Sequence, residues 1–341
     1  MSLADACAAL MVVALTAYAT LGGADFGAGF WDLTAGRGER GARIRTMIRR
    51  SMSPVWEANH VWLIFVLVVF WTAFPVAFGS VFSTLYVPLF LAGAGIILRG
   101  TAFALRDQAT TVREERVLGG AFAVSSVLTP FCLAAALGAI ASGRVPIGNA
   151  VGSPLRSWLN PTGIVVGALA VLTGTYLSAV YLAADSVRAR LPDLARTFRG
   201  RALASGVAAG AVAIGGLVVL RSDARVLYHG LTTGGGLPCL LISAAAGVTT
   251  LVLVWRERFP AARFGAAVAV AGVTVGWALA QQPYLLPPRL TIARAAAGHA
   301  TLVALLAAAA VGLVLIAPAL VLLYRLVLRG WLDPGAESAE T

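Results

Sequence analysis

The sequence predicts an all-α polytopic membrane protein of about nine transmembrane helices, grouped as two four-helix bundles plus one peripheral helix. Three observations predict it. Of 341 residues, 59% are hydrophobic and only 12% charged, whereas roughly a quarter of an ordinary soluble globule is charged. Apolar runs recur along the whole chain, each near the ~20 residues that cross a bilayer as a helix. The runs are continuous rather than alternating, which excludes the strands of an outer-membrane barrel.

The runs cover roughly 4–28, 56–78, 82–104, 118–141, 162–184, 202–220, 237–255, 262–281 and 299–324. Spans one to four (1–142) and five to eight (160–281) each make a bundle-sized unit. An additional helix at 299–325 and a polar tail at 326–341 complete the chain. The amino terminus, MSLADACAAL, has no basic region ahead of its apolar run and so does not read as a cleaved signal.

The net charge of +11 comes entirely from arginine, for there is no lysine. These arginines sit in short loops between apolar runs, which argues against nucleic acid and for the positive-inside rule. The loops at 35–53, 99–116, 187–201 and 256–263, with the tail from 325, hold 20 of them. The alternate set at 143–160, 221–236 and 282–298 holds six. The expected orientation is therefore amino terminus outside and carboxyl terminus in the cytoplasm.

Cys7, Cys132 and Cys239 lie far apart in or beside apolar segments, with no C-x-x-C pair. They give no support for zinc, an iron–sulfur cluster or disulfides. The three histidines are His60, His229 and His299. A haem held wholly by this chain would need axial ligands, commonly histidine, on facing helices, and these three do not supply such a pair. No metal or cofactor site is expected.

Four acidic residues stand at or beside apolar runs: Asp25, Asp32, Glu57 and Asp185. In GGADFGAGFWD, Asp32 falls near the inner surface and Asp25 two helical turns deeper, about 10 Å, on the same face. The second span opens as SPVWEANHVWL, with Ser53 as N-cap and Pro54 at the first helical position. Trp56, Glu57 and His60 then share one flank, with Asn59 beside them. Arg99 sits near the inner end of the third span, again about two turns deeper than Arg106. The three carboxylates and this arginine are expected to converge on the cytoplasmic side. Intramembrane ionisable groups cost about 2.5–3.5 kcal/mol on insertion scales and generally face the protein interior or a wet path. The glycines of the first motif let a neighbouring helix come close.

Plainer readings stand beside these. Asp32 and Asp185 fit interfacial helix-end charges, Glu57 complements the positive end of its helix dipole, and Asp25 with Arg99 fits a structural buried pair. A secondary transporter also places buried charge in broken helices, but it calls for matching interruptions in both halves. Here the polar cluster is confined to the first.

Three stretches resemble subunit II of the cytochrome bd-type quinol oxidases. They are GGADFGAGFWDL, SPVWEANHVWLIFVLVVFWTAFPVAF and LRGTAFALR, in order over roughly residues 20 to 106. The later half matches only in character, through LTGTYLSAVYLAAD. Ala24 replaces the family's usual aromatic, and Ala104 stands where acidic residues are frequent. The resemblance implies a haem-free subunit of a bacterial plasma-membrane enzyme that oxidises quinol and reduces dioxygen to water. Its partner, subunit I, carries the haems. Lipid and quinone, including a structural quinone, and a small accessory subunit are further partners such a complex admits. Carried over by position, Glu57 matches the acidic residue that delivers cytoplasmic protons, Asp25 the first-helix aspartate and Trp56 the neighbouring tryptophan. A proton pathway of Glu57, Asp25, His60 and Asn59 is thus expected, framed by a structural set of Trp56, Arg99 and Asp32. A subunit that is structural only would differ in the role of Glu57.

Overall fold

A computed structural model of the chain describes residues 2–36, 38–52, 56–108, 110–149 and 151–329. Ser53 and Pro54, the expected cap, lie outside the described residues, as do the last twelve of the tail.

The first crossing is one continuous rod in three parts: α1 (Leu3–Ala17), a π-helical turn (Tyr18–Gly22) and α2 (Gly23–Leu33). Ser2 caps it, its Oγ accepting from Asp5 N–H while the Asp5 carboxylate accepts from Ser2 N–H, a reciprocal box that satisfies two orphan donors. Then α3 (Glu39–Met52) occupies the expected loop at 35–53. It is amphipathic, burying Ile44, Met47, Ile48 and Met52 while Arg40, Arg43 and Arg50 face out.

Next come α4 (Trp56–Ala73) and α5 (Pro75–Thr84). The expected second span ran on to 78, but the helix stops at Ala73. Pro75 disfavours the helical backbone at the residue before it, and Phe74 sits at φ −135° and ψ 57°. After α6 (Tyr86–Leu105), α7 (Val112–Ala141) starts from a second capping box, Thr111 with Glu114. The second half contains α8 (Pro161–Arg188), α9 (Pro192–Asp223), the short α10 (Arg225–Thr232), α11 (Leu237–Trp255) and α12 (Phe259–Gln281). A small antiparallel hairpin, β1 (Tyr284–Leu286) with β2 (Leu290–Thr291), leads through α13 (Ile292–Ala295) to α14 (His299–Arg329). The hairpin was not expected.

Among the described residues, eight helices are long and apolar enough to cross a membrane, or nine when α3 and α4 count as one bent pair. The architecture is the all-α polytopic one. Several helices outrun their expected spans at the arginine-rich end, α9 starting at Pro192 rather than near 202. Hydropathy registers only the hydrocarbon-facing part of a helix, while the backbone continues through the polar interface.

Packing is organised around α8, which touches α2, α7, α9 and α12. At the arginine-rich end, Tyr176, Leu177, Val180 and Leu182 of α8 join Ile44 and Ile48 of α3 and Phe198 of α9 in one buried cluster. A second cluster at the other end combines α1, α5, α7 and the hairpin through Cys7, Phe74, Leu85 and Leu286.

Candidate functional site

The site lies where α2, α4, α6 and α7 meet. Asp25 (6% exposed), Asn59 (2%) and Arg99 (1%) are all buried there, so each must find a partner inside the protein. The Asn59 side-chain N–H donates to the Asp25 carboxylate at 2.7 Å. Arg99 does not take that carboxylate directly. Its Nη2 donates to the Asp25 backbone carbonyl at 2.9 Å and its Nε to Ser126 Oγ at 3.3 Å. The guanidinium also lies over the rings of Phe26 (4.9 Å) and Phe122 (5.1 Å), positions where the ring quadrupole attracts a cation. The expected Asp25–Arg99 pair is thus a shared pocket in which the arginine holds the helix backbone and leaves the carboxylate to Asn59.

Two glycines make this possible. A methyl group at Gly27 would run into the Gly174 backbone of α8, and one at Gly29 into the Ser126 side chain of α7. Both helices therefore press against α2 within one turn of Asp25. Gly23 is different, since a Cβ there meets only Leu177 Cδ1 at 3.9 Å.

Asp32 is 4% exposed and paired rather than a bare interfacial charge. Arg106 Nη1 stands 3.1 Å from its carboxylate and Arg45 Nε 3.9 Å. Asp185, at the end of α8, is similarly held by Arg263 and by Arg188 at 3.7 Å.

Glu57 departs from the expectation. Its side chain is exposed on the outside of the chain, not converged with the other carboxylates. Successive helical residues turn by about 100°, so Glu57 and Asn59 point about 160° apart, and Asn59 is committed to Asp25. His60 lies between these directions, half-buried, with the rings of Tyr18 at 6.0 Å and Phe26 at 5.9 Å. Trp56 begins α4, and its side chain lies outside the description.

One participant was missed. Tyr18 opens the π-helical turn, is 7% exposed, and its hydroxyl is buried without a hydrogen-bond partner among the described residues. Gly22 leaves room for its ring, which a Cβ would meet at 2.8 Å. A π turn inserts one extra residue and redirects the following side chains. No local sequence pattern announces it.

The histidines do not assemble. His60 is at one end of α4, whereas His299 follows Ala297, whose N–H donates to the Ala73 carbonyl at the other end. The length of α4 between them is about 20 Å. His229 belongs to α10, beside Tyr228. Among the described residues no three His, Cys, Asp or Glu side chains group as metal ligands, and Cys7, Cys132 and Cys239 are free. These residues do not fit an axial pair for haem.

Known proteins are similar to this chain in sequence and in fold. A Bacillus subtilis (strain 168) protein described as a cytochrome bd menaquinol oxidase subunit II is 24% identical over 92% of both chains. The cytochrome bd-I ubiquinol oxidase subunit 2 of Escherichia coli (strain K12) is 29% identical over 48% of this chain and 43% of its own. A chain in the structure of bd oxidase from Geobacillus thermodenitrificans superposes with a TM-score of 0.74 at 27% identity, covering 96% of this chain and 99% of that one. The family model for cytochrome bd terminal oxidase subunit II matches residues 3–327. With nearly the full length matched and a buried Asp25–Asn59–Arg99 centre built by the very stretches that carry the resemblance, this chain belongs to the cytochrome bd terminal oxidase subunit II family.

Proposed function

We propose that this chain is the haem-free subunit of a bd-type quinol oxidase, seated beside a haem-bearing subunit I in a bacterial plasma membrane. Its polar cluster serves proton uptake from the cytoplasmic side. The relatives' names include both menaquinol and ubiquinol, so the substrate of the complex is given as a quinol. Electron transfer and dioxygen reduction are supplied by the haems of the partner. The present chain contributes position and protons.

The observation that carries the reading is the buried Asn59–Asp25 hydrogen bond. A carboxylate so far from water is costly unless paired or used. Glu57, exposed one turn from His60 at the start of α4, is the intake group, and its outward direction suits exchange with water or with the partner. Asp25, Asn59 and His60 form the inner, water-holding set. Arg99 and Asp32 frame it. The arginine asymmetry supports an outside amino terminus and a cytoplasmic carboxyl terminus. The chain divides into a bundle at 1–142, a second at 160–281, an additional helix at 299–325 and a tail.

A purely structural role is favoured by one observation: Arg99 spends its hydrogen bonds on a backbone carbonyl and a serine, as a clamp would. Glu57→Gln separates the two, because it keeps shape and removes titration. In the co-purified complex, the relay reading expects quinol oxidation to fall at least tenfold, about 1.4 kcal/mol, with haem content and assembly unchanged. Glu57→Asp retains partial turnover. Near-native turnover in a fully assembled Gln variant rules out Glu57 as an obligatory carrier.

A further inference from the structure

Two helix ends on the arginine-rich side share an unusual backbone. In the described chain the non-glycine residues with left-handed φ are Arg190 (56°) and Glu257 (61°). Arg190 terminates α8 and Glu257 terminates α11, with the same pair of hydrogen bonds. Arg190 N–H donates to Val187 O at 3.0 Å and Leu191 N–H to Ser186 O at 2.9 Å. Glu257 N–H donates to Val254 O at 3.1 Å and Arg258 N–H to Leu253 O at 2.8 Å. Glycine is the usual occupant of this position, because a side chain there crowds the backbone. Both residues nevertheless line one open groove of about 470 Å³.

The groove has two chemically distinct surfaces. Val187, Leu191 and Phe259 form an apolar wall, and Arg190, Arg196 and Arg199 supply cations. Arg199 is already engaged. Its Nε donates to Val254 O at 3.2 Å, its Nη2 to Trp255 O, and its Nη1 stands 3.4 Å from Glu257. Those contacts neutralise the one acid of the groove and cover the carbonyl end of α11. The side chains of Arg190 and Arg196 are exposed, and their guanidinium groups make no hydrogen bond or ion pair with the described residues. Two uncompensated cations therefore face a cleft whose wall is apolar. Trp255, 63% exposed at the end of α11, marks the headgroup level where amphipathic rings gather.

We propose that this groove binds the phosphate headgroup of an anionic phospholipid, with Arg190 and Arg196 on the phosphate and the Val187–Leu191–Phe259 wall against the first acyl methylenes. A soluble anion would use the cations but not the wall. Basic pockets between membrane helices on the inner side have the chemistry that retains anionic lipid, and a planar guanidinium pairs bidentately with phosphate. The left-handed Arg190 then has a physical reason: glycine would relax the turn but remove a headgroup ligand. This inference is independent of the proton reading.

The test uses the full chain co-purified with its haem-bearing partner, stripped of lipid in detergent. It is titrated with dioleoyl phosphatidylglycerol, dioleoyl phosphatidylcholine or inorganic phosphate while retained lipid is read by native mass spectrometry. Phosphatidylglycerol is expected to be retained at least tenfold more tightly than phosphatidylcholine, with inorganic phosphate at equal concentration not displacing it. Arg190→Gln with Arg196→Gln should cut that retention at least tenfold while the partner stays bound. Arg190→Gly gives effects of opposite sign: lipid-free thermal stability unchanged or raised, retention reduced. Undiminished retention in the double variant overturns the proposal. So does displacement by inorganic phosphate, which makes the site one for a soluble anion, or loss of the partner subunit in place of lipid, which makes the groove a subunit interface.

Discussion

The two helices that meet at Gly27 and Gly174 handle polarity in opposite ways. In α8, the buried hydroxyls of Ser186 and Thr175 bond within their own helix, Ser186 Oγ to Leu182 O at 2.7 Å and Thr175 Oγ1 to Leu172 O at 2.8 Å, and it is Thr162 in the first turn that reaches Asp223 of α9. Its one carboxylate, Asp185, waits until the last turn. In α2, Asp25 sits in the first turn after a π segment, and its partners come from α4 and α6. A helix that satisfies itself can be placed anywhere in the bilayer. One that carries Asp25 can be placed only where Asn59 and Arg99 converge, so α2 is specified at mid-length by polar partners, whereas α8 keeps its charged and cross-helix contacts for its ends and is specified between them by shape.

Substitutions can break that contrast. The largest effect is expected for Arg99→Ala, which leaves the Asp25 carbonyl without its donor and removes the cation from the pocket that the carboxylate shares. Removing one member of a buried charged set costs about 3–5 kcal/mol, read as a lowered unfolding midpoint of the complex and restored in part by adding Asp25→Asn. Next comes Gly27→Leu, which drives a side chain into the α8 backbone. Overpacking costs about 1–3 kcal/mol, whereas Gly23→Ala, meeting only Leu177 at 3.9 Å, should be neutral or gain up to about 1 kcal/mol of helix propensity. Equal damage from both would show that the glycines act through backbone flexibility rather than close approach.

Asp185→Asn tests the other side of the contrast. Its carboxylate is 19% exposed and lies at a helix end, so a loss of about 1 kcal/mol is expected, and turnover should stay within twofold. A severe activity loss would put a functional charge in the second half as well. The smallest effect belongs to Tyr18→Phe. It removes a buried hydroxyl that has no partner among the described residues, so stability should hold or rise by about 1 kcal/mol. A drop in turnover with no stability change would assign that hydroxyl a role in the complex.

Much of this was legible in the sequence, though unevenly. Crossing helices follow from hydropathy, and α4 stopping before Pro75 follows from proline sterics. The spacing of Ile44, Met47, Ile48 and Met52 announces α3, yet the arginines between them disguise it as a loop. The opposed directions of Glu57 and Asn59 were also available from helical geometry alone. Their nearness in sequence suggested one cluster, and 100° per residue separates them. What could not be read is pairing across helices. The glycines at 27 and 29 signal close approach, but nothing local says that Gly174 and Ser126 are what approach. The π turn at Tyr18 is likewise a product of tertiary packing.

The Gly27–Gly174 contact has a mechanical consequence. It is a seam of backbone against backbone, containing nothing that titrates, two residues from a carboxylate that can. A change of charge at Asp25 acts on Asn59, Arg99 and their helices, α4 and α6, while the seam offers it no handle on α8. The second half then behaves as an anvil: a fixed reference against which the first half can respond to a change of charge without the whole subunit shifting.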